Sequence, residues 1–453
     1  MFIGRKEEIK KINNFLESTK KSFLIYGKRR IGKTQLILES LKNRENYVYF
    51  ECTKDTLLNN AVNFANALIG QKFLPSNFEG ISFSNIFSFL DLSNVNLNIV
   101  IDEYPYLYEY EDSKKVDSIF QTIIDNNLKN NKLILCGSNV AVMQSLIEES
   151  NALFGRFDEI LPLKELNYIE ASDFYKNKSE YEKVGFYSVF GGTPYLNISI
   201  NPQCSLEDNI KANFLNENSS CYRYCENLLF TDVPSSININ SLCSVLKNGK
   251  KTCAEIENAL KTVKNGGMNK KLELLCKMDL INKYQPINKN GNNKATRYEI
   301  KDNAIRFFYS FIYPNKSILN IIGPNRFYDE YIKDKLITFV SHRFEEIIRS
   351  YFSLSVKKGK YLDIIDIGTY YYDSKNKKNG EFDVVLKNKD NKYIICEVKY
   401  YKDNILTVKE MNKEYNQIKQ INELLIDDVI FVSSSGYEKN EYNCIDISDI
   451  YSV

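Results

Sequence analysis

The sequence predicts an α/β protein that opens on a parallel sheet, passes through a helical middle and closes on a second, separate α/β unit. Three observations predict this. Short apolar strands alternate with helical stretches over roughly the first 165 residues, a pattern that makes a parallel sheet flanked by helices. From about residue 191 the pattern turns to short helices with small and polar connections, and from Ser236 to about Pro314 it is helical apart from a strand pair between Leu280 and Ile300. Strands return after residue 320, set between a helix near Ile332 to Phe352 and another around Val408 to Leu425. The boundaries expected are 1–190, 191–235, 236–320 and 321–453.

The first sheet takes its strands from Ser22 to Tyr26, Tyr47 to Phe50, Leu97 to Ile101 and Lys132 to Cys136, with a further one at Ile160 to Leu163. In the middle, helices are expected at Ser241 to Lys247, Cys253 to Lys261 and, after the Gly266-Gly267 turn, Met268 to Met278. Strands around Leu280 to Pro286 and Ala295 to Ile300 follow, and three helices with such a β-wing describe a winged helix-turn-helix. The last unit contributes a hairpin across Glu381 to Lys399 and a late strand, Val429 to Val432.

Composition narrows the function. A chain of 453 residues is about three times the ~150 of a typical domain, which excludes a lone small binding module. The formal net charge of +2 excludes a uniformly basic coat, so any nucleic-acid contact must come from local patches. No apolar run reaches the ~18 residues of a membrane span, and Met1 to Glu8 has no apolar signal core, so a cytoplasmic location is expected. Ten scattered cysteines imply no disulfide framework, and the single histidine, His342, leaves no room for a Ser/His or Cys/His triad. Carboxylates and lysines must carry the chemistry.

Gly27-Lys28-Arg29-Arg30-Ile31-Gly32-Lys33-Thr34 fits the phosphate-loop pattern G-x-x-x-x-G-K-[ST] and stands where that pattern needs to stand, after a strand and opening a helix with Gln35. Its glycines let backbone N–H groups turn toward phosphate oxygens, Lys33 reaches the outer phosphates of ATP, and the Thr34 hydroxyl can ligate Mg²⁺. A second strand, Ile99-Val100-Ile101, ends in Asp102-Glu103. It resembles a Walker B strand, with Asp102 in the Mg²⁺ shell and Glu103 polarising the attacking water.

Together these motifs make residues 1–235 resemble the AAA+/STAND class of P-loop ATPases, specifically the archaeal-type ATPase family. That resemblance implies roles for further residues. Gly4, Arg5 and Glu8 fall on the N-terminal box beside the adenine. Ser138 or Asn139 would sense the γ-phosphate at the end of the sensor strand. Arg156 would be an arginine finger acting on a neighbour's nucleotide in a homo-oligomer, and Pro194, in Gly191-Gly192-Thr193-Pro194, would open the helical lid near the adenine.

In the hairpin, a turn centred on Asp390 sets Asp383 opposite Glu397, and Lys399 shares their face. Two carboxylates and an ammonium there could hold a divalent ion and activate water. With Glu345 on the preceding helix, Asp383 and Glu397-Val398-Lys399 resemble the PD-(D/E)XK nuclease superfamily, and the C-terminal domain of the archaeal-type ATPases is similar to these nucleases, so a restriction-endonuclease-like α/β fold is implied. Two readings stay open for the winged helix. Lys264, Asn269, Lys270, Lys271, Lys277, Lys294 and Arg297 contact phosphates, DNA more than RNA, or they are solvated on a module that packs on the ATPase. Two functions stay open as well. One is an ATP-regulated, Mg²⁺-dependent nuclease; the other is a STAND-like switch whose C-terminal domain only binds.

Overall fold

A computed structural model describes residues 2–227, 230, 231, 233–262, 266–289, 291–372, 380–421 and 424–452. The chain divides into two compact units, one of residues 1–165 with 277–279 and the other of residues 166–276 with 280–453.

The first unit is built on five parallel strands, β1 (Ser22–Tyr26), β2 (Tyr47–Glu51), β3 (Asn98–Asp102), β4 (Lys132–Gly137) and β5 (Glu159–Pro162), in the order β2-β3-β4-β1-β5. The near-continuous apolar character of these strands has a direct cause, since both faces are covered. Leu24, Val48, Phe50, Ile99, Ile101, Leu133 and Leu135 point into a core with Phe64, Phe83, Phe87 and Phe120. Their alternate neighbours Phe23, Ile25, Val100, Ile134 and Cys136 meet Ile12, Phe15, Leu36 and Ile37 on the other side. The helices outside start where short polar side chains cap them, as Thr56, Ser82 and Asp112 do for Leu57–Gly70, Phe83–Leu92 and Ser113–Asn126.

The second unit begins with short helices, Tyr168–Ser172, Glu180–Phe190, Pro194–Asn197, Leu206–Phe214 and Ser220–Glu226. Helices Ile239–Leu246, Cys253–Leu260 and Gly267–Lys277 follow, with β6 (Lys251–Thr252), β7 (Ile281–Tyr284) and β8 (Arg297–Ile300) making an antiparallel sheet in the order β6-β8-β7. Sequence patterning missed β6, which is two residues long and has no apolar alternation of its own.

A second five-stranded sheet closes the chain: β9 (Ile364–Tyr372), β10 (Gly380–Asn388), β11 (Tyr393–Lys399), β12 (Ile426–Ser433) and β13 (Asn443–Asp446), in sequence order across the sheet. The strands β9 to β11 are antiparallel and β11 to β13 parallel. Val384, Leu386, Cys396, Ile430 and Val432 pack on the long helix Lys333–Lys357 through Phe344, Ile347, Ile348 and Phe352. The opposite face, with Val385, Ile395, Val429 and Phe431, meets Met411 and Ile418 of the helix Val408–Lys419. That helix stops at Lys419, short of the expected Leu425, and Leu424 packs in this same core. Among the described residues no helix is long and apolar enough to cross a membrane.

Candidate functional site

The phosphate loop springs from the carboxyl end of β1, between β4 and β5. A Cβ on Gly27 would stand 2.3 Å from the Leu163 carbonyl oxygen, so only glycine lets the chain leave the strand beside β5. Gly32 ends the loop at φ 89°, in the left-handed region, and the helix Lys33–Leu41 starts from it with no side-chain cap on its first N–H groups. Lys33 is buried, its Nζ donating to the carbonyls of Gly27 at 2.9 Å and Lys28 at 3.1 Å. The side chain therefore lies along the inside of its own loop.

Thr34 Oγ1 donates to Asp102 Oδ2 at 2.9 Å, which brings the two expected Mg²⁺ ligands together across β1 and β3. Both are hard oxygen donors, the set Mg²⁺ prefers. The Glu51 carboxyl at the end of β2 is pushed up by burial and by the negative charge of Asp102 and Glu103, so carboxylate charge accumulates where a cation would be welcome. Thr34 and Asp102 thus fit the ion.

Asp102 is held at both oxygens. Tyr49 donates its hydroxyl to Oδ2 at 2.6 Å, and the Glu103 backbone N–H donates to Oδ1 at 2.8 Å. Burial, and then the Asp102 charge, push the Tyr49 hydroxyl far above its ordinary range, so it remains a donor. Glu103 sits at φ 51°, a left-handed conformation for a non-glycine residue. Its Oε2 accepts from Ser138 Oγ at 2.8 Å and from the Ser138 N–H at 3.1 Å. Asn139, the other sensor candidate, caps the helix Val140–Ser145 by accepting from the Val142 N–H. The two alternatives therefore differ in this structure, and Ser138 is the one at Glu103.

Other expected nucleotide contacts are engaged with protein. Arg5, left-handed at φ 64°, donates to the carbonyls of Ile31 and Lys164 and pairs with Glu8, tying the N-terminal box to the end of the phosphate loop, while Gly4 precedes it at φ 73°. Lys28 pairs with Glu165, Arg29 Nη2 donates to the Tyr106 hydroxyl at 3.1 Å, Ile31 is buried, and Arg30 and Gln35 are exposed. Arg156 Nε pairs with Asp125 at 3.1 Å, on the surface of its own unit. Pro194 lies in the second unit, at the start of its short helix; there Gly192 is pinned, since a Cβ would meet the Leu166 carbonyl at 1.9 Å.

In the C-terminal sheet the hairpin has the expected register, with Val385 opposite Ile395 and Lys387 opposite Tyr393. Its ladder stops there. The β10–β11 pairs run from Val385 to Lys387 and do not reach Asp383 and Glu397, and the pairing of β10 with β9 shifts register between Phe382 and Val385. Glu397 instead meets Lys399, Oε1 to Nζ 2.7 Å, and Lys399 also reaches Glu414 Oε1 at 3.5 Å. Burial, and then the charges of Glu414 and Glu345, raise the Glu397 carboxyl against the opposing pull of Lys399. Glu414 was not foreseen, since nothing in its helical surroundings marks it. Glu345 lies 3.7 Å from His342 Nδ1, and that imidazole is raised by its bond to Glu345 and, more weakly, by Asp383.

Asp383 and Glu397 are each engaged by a different lysine, Asp383 by Lys250 and Glu397 by Lys399. Among the described residues, no three His, Cys, Asp or Glu side chains are grouped to hold a metal ion. Asp383 is bound by Lys250, Nζ to Oδ1 2.8 Å. Arg297, for which a phosphate contact and a solvated side chain stood open, pairs with Glu381. Asn269, Lys270 and Lys294 are exposed, and Lys264 lies outside the described residues.

Comparison with known proteins agrees with the first unit. Residues 2–199 match the model of an ATPase domain predominantly from Archaea, and residues 308–416 match that of a family of archaeal and bacterial proteins of unknown function. The uncharacterized protein MJECL04 of Methanocaldococcus jannaschii is 28% identical over 438 residues, 94% of this chain and 93% of its own. The Walker-type ATPase PABY2304 of Pyrococcus abyssi superposes with a TM-score of 0.50 at 18% identity, over 68% of this chain and 96% of that one.

Proposed function

We propose that this chain, whose residues 2–199 match the model of an ATPase domain predominantly from Archaea, is a P-loop ATPase that uses its nucleotide state to control a C-terminal, nuclease-like domain acting on nucleic acid, DNA more than RNA. One observation carries the ATPase half, the meeting of Thr34, Asp102 and Glu103 at the ends of β1 and β3 with Lys33 in the loop. Mg²⁺ held by Thr34 and Asp102 would neutralise charge on the outer phosphate oxygens. Lys33 leaves the Gly27 and Lys28 carbonyls for those phosphates. Glu103, released from Ser138, orients water for in-line attack. Arg156 would leave Asp125 to act on the nucleotide of a second copy.

The C-terminal half rests on Glu397 and Lys399 at hydrogen-bond distance on one strand, with Glu345 and Glu414 near enough to shift Glu397. A raised carboxyl beside an ammonium suits proton transfer at a phosphodiester. The helices 239–246, 253–260 and 267–277 with β6 to β8 have the order of a winged helix, and Asn269 and Lys270 are open to a DNA backbone. The test is cleavage of plasmid, linear duplex, single-stranded DNA and RNA with Mg²⁺ or Mn²⁺, with and without ATP. Loss in Glu397→Ala, with ATP binding kept, is expected.

A second reading has its own support. Asp383 is bound to Lys250 and no three-carboxylate group is present among the described residues, which suits a STAND-like switch whose C-terminal domain binds without cutting. Under that reading Glu397→Ala leaves function untouched and Lys33→Ala abolishes it.

A further inference from the structure

Lys250 immediately precedes β6, and its Nζ reaches two carboxylates of β10, Asp383 Oδ1 at 2.8 Å and Glu381 Oε1 at 3.1 Å. Arg297, on β8 beside β6, takes the other oxygen of Glu381. Both cations are braced by aromatic faces: Lys250 lies 5.4 Å from the Tyr284 ring centre and Arg297 5.1 Å from that of Tyr371. The Lys250 side chain is 13% exposed and that of Glu381 19%, so this pair is screened less than a surface ion pair, while Asp383 is 40% exposed. The same region of β10 is gripped from behind, where Arg349 donates to the Asp383 carbonyl.

An ammonium between two carboxylates does what a divalent ion there would do, and it fills the same place. Divalent ions sit at ~2.0–2.6 Å from carboxylate oxygens. One cannot lie between Asp383 and Glu381 while Nζ is within 3.1 Å of both. The Asp383 carboxylate, the motif's metal ligand, is thus already neutralised by an ammonium.

We propose that Lys250, braced by Arg297, is a stand-in cation that keeps Asp383 from taking a divalent ion, so that the C-terminal site is switched off until the small sheet β6-β8-β7 moves away from β10. The inference rests on the reading of Asp383 and Glu397 as a nuclease-like site and adds how that site is regulated. The small sheet is also tied to the long helix, where the Tyr284 hydroxyl donates to Glu346 and Arg343 donates to Glu299.

The test is Mn²⁺ binding to the full, nucleotide-free chain, read from the free-ion EPR signal for wild type, Lys250→Met, Lys250→Arg and Arg297→Gln, each with and without Asp383→Asn. The Asp383→Asn partner of each variant subtracts any ion held at Thr34 and Asp102. Lys250→Met is expected to bind on the order of tenfold more tightly than wild type. Arg297→Gln should gain less, Lys250→Arg should not gain, and each gain should vanish with Asp383→Asn. Wild-type binding as tight as that of Lys250→Met, and dependent on Asp383, overturns the clamp but leaves the metal site standing. Absence of Asp383-dependent binding from every variant overturns both.

Discussion

The Tyr49 hydroxyl and the Asp102 carboxylate are joined by a 2.6 Å hydrogen bond, made to the same oxygen that accepts from Thr34. The bond comes from the neighbouring strand β2, so it fixes the carboxylate against the sheet and leaves the phosphate loop free to change. Tyr49→Phe removes it without changing the ring. A hydrogen bond to a charged group contributes about 1.5–3 kcal/mol, and loss at the low end corresponds to roughly tenfold in rate. The expected outcome is an ATPase kcat lower by about that factor, with a higher Mg²⁺ requirement and nearly unchanged ATP affinity, read by phosphate release against Mg²⁺ concentration.

Glu103 and Ser138 make the second pair. With its Oε2 on the Ser138 hydroxyl and N–H, Glu103 is kept in a left-handed turn and away from water-activating duty. Glu103→Gln should retain ATP binding and lower hydrolysis by about 10²-fold or more, the usual size of a general-base contribution. Ser138→Ala deletes the hydroxyl but not the N–H, so a smaller change in kcat is expected. A Glu103→Gln chain that hydrolyses ATP at the wild-type rate would remove Glu103 from the chemistry.

Gly27 tests the loop itself. A methyl placed 2.3 Å from the Leu163 carbonyl cannot be absorbed by a side-chain rotation, because the obstacle is backbone of the stretch that follows β5. Gly27→Ala should cost about 1–3 kcal/mol, the range for overpacking, and should lower the thermal midpoint and nucleotide affinity together. Gly155→Ala is the control: its Cβ meets nothing within 4 Å, although its φ of 70° adds some backbone strain.

How far these sites were legible depended on whether the information was local. The five strands of the first sheet, the phosphate loop and the acids ending β3 are spelled out in contiguous residues, and the parity of Phe23 against Leu24 already divides the two faces. The register of the hairpin followed from its turn. What escaped was long-range. Lys250 precedes Asp383 by more than a hundred residues, and no pattern in either segment announces their pairing. Arg297 on the wing left a phosphate contact and a solvated side chain equally open until its tertiary partner, Glu381, was known. Asn139 and Ser138 were equivalent candidates until the helix start at Val140 claimed the asparagine as its cap. The register shift between Phe382 and Val385 lies in the pairing of β10 with β9, and hairpin arithmetic on β10 and β11 alone cannot foresee it.

A buried ion pair on β8 makes the stability of this unit depend on pH. Glu299 on β8 is almost fully buried against Arg306 and Arg343, with Arg306 also donating to the Ile300 carbonyl. Burial by itself would raise the Glu299 carboxyl; the two guanidiniums outweigh it and hold the group far below the ordinary carboxylate range. A carboxyl depressed on folding contributes stability that is fully present above its unfolded value, ~4.3, and that fades as pH falls from there toward the folded value. Glu299→Gln leaves two buried guanidiniums short of a counter-charge and should cost about 3–5 kcal/mol, more than replacing the pair by apolar groups would. Melting curves between neutral pH and the acid limit should therefore converge. The gap between wild type and Glu299→Gln is expected to be widest above ~pH 5 and to shrink below it as wild type loses the ionised pair. A gap independent of pH would mean that packing, and not charge, holds Glu299 in place.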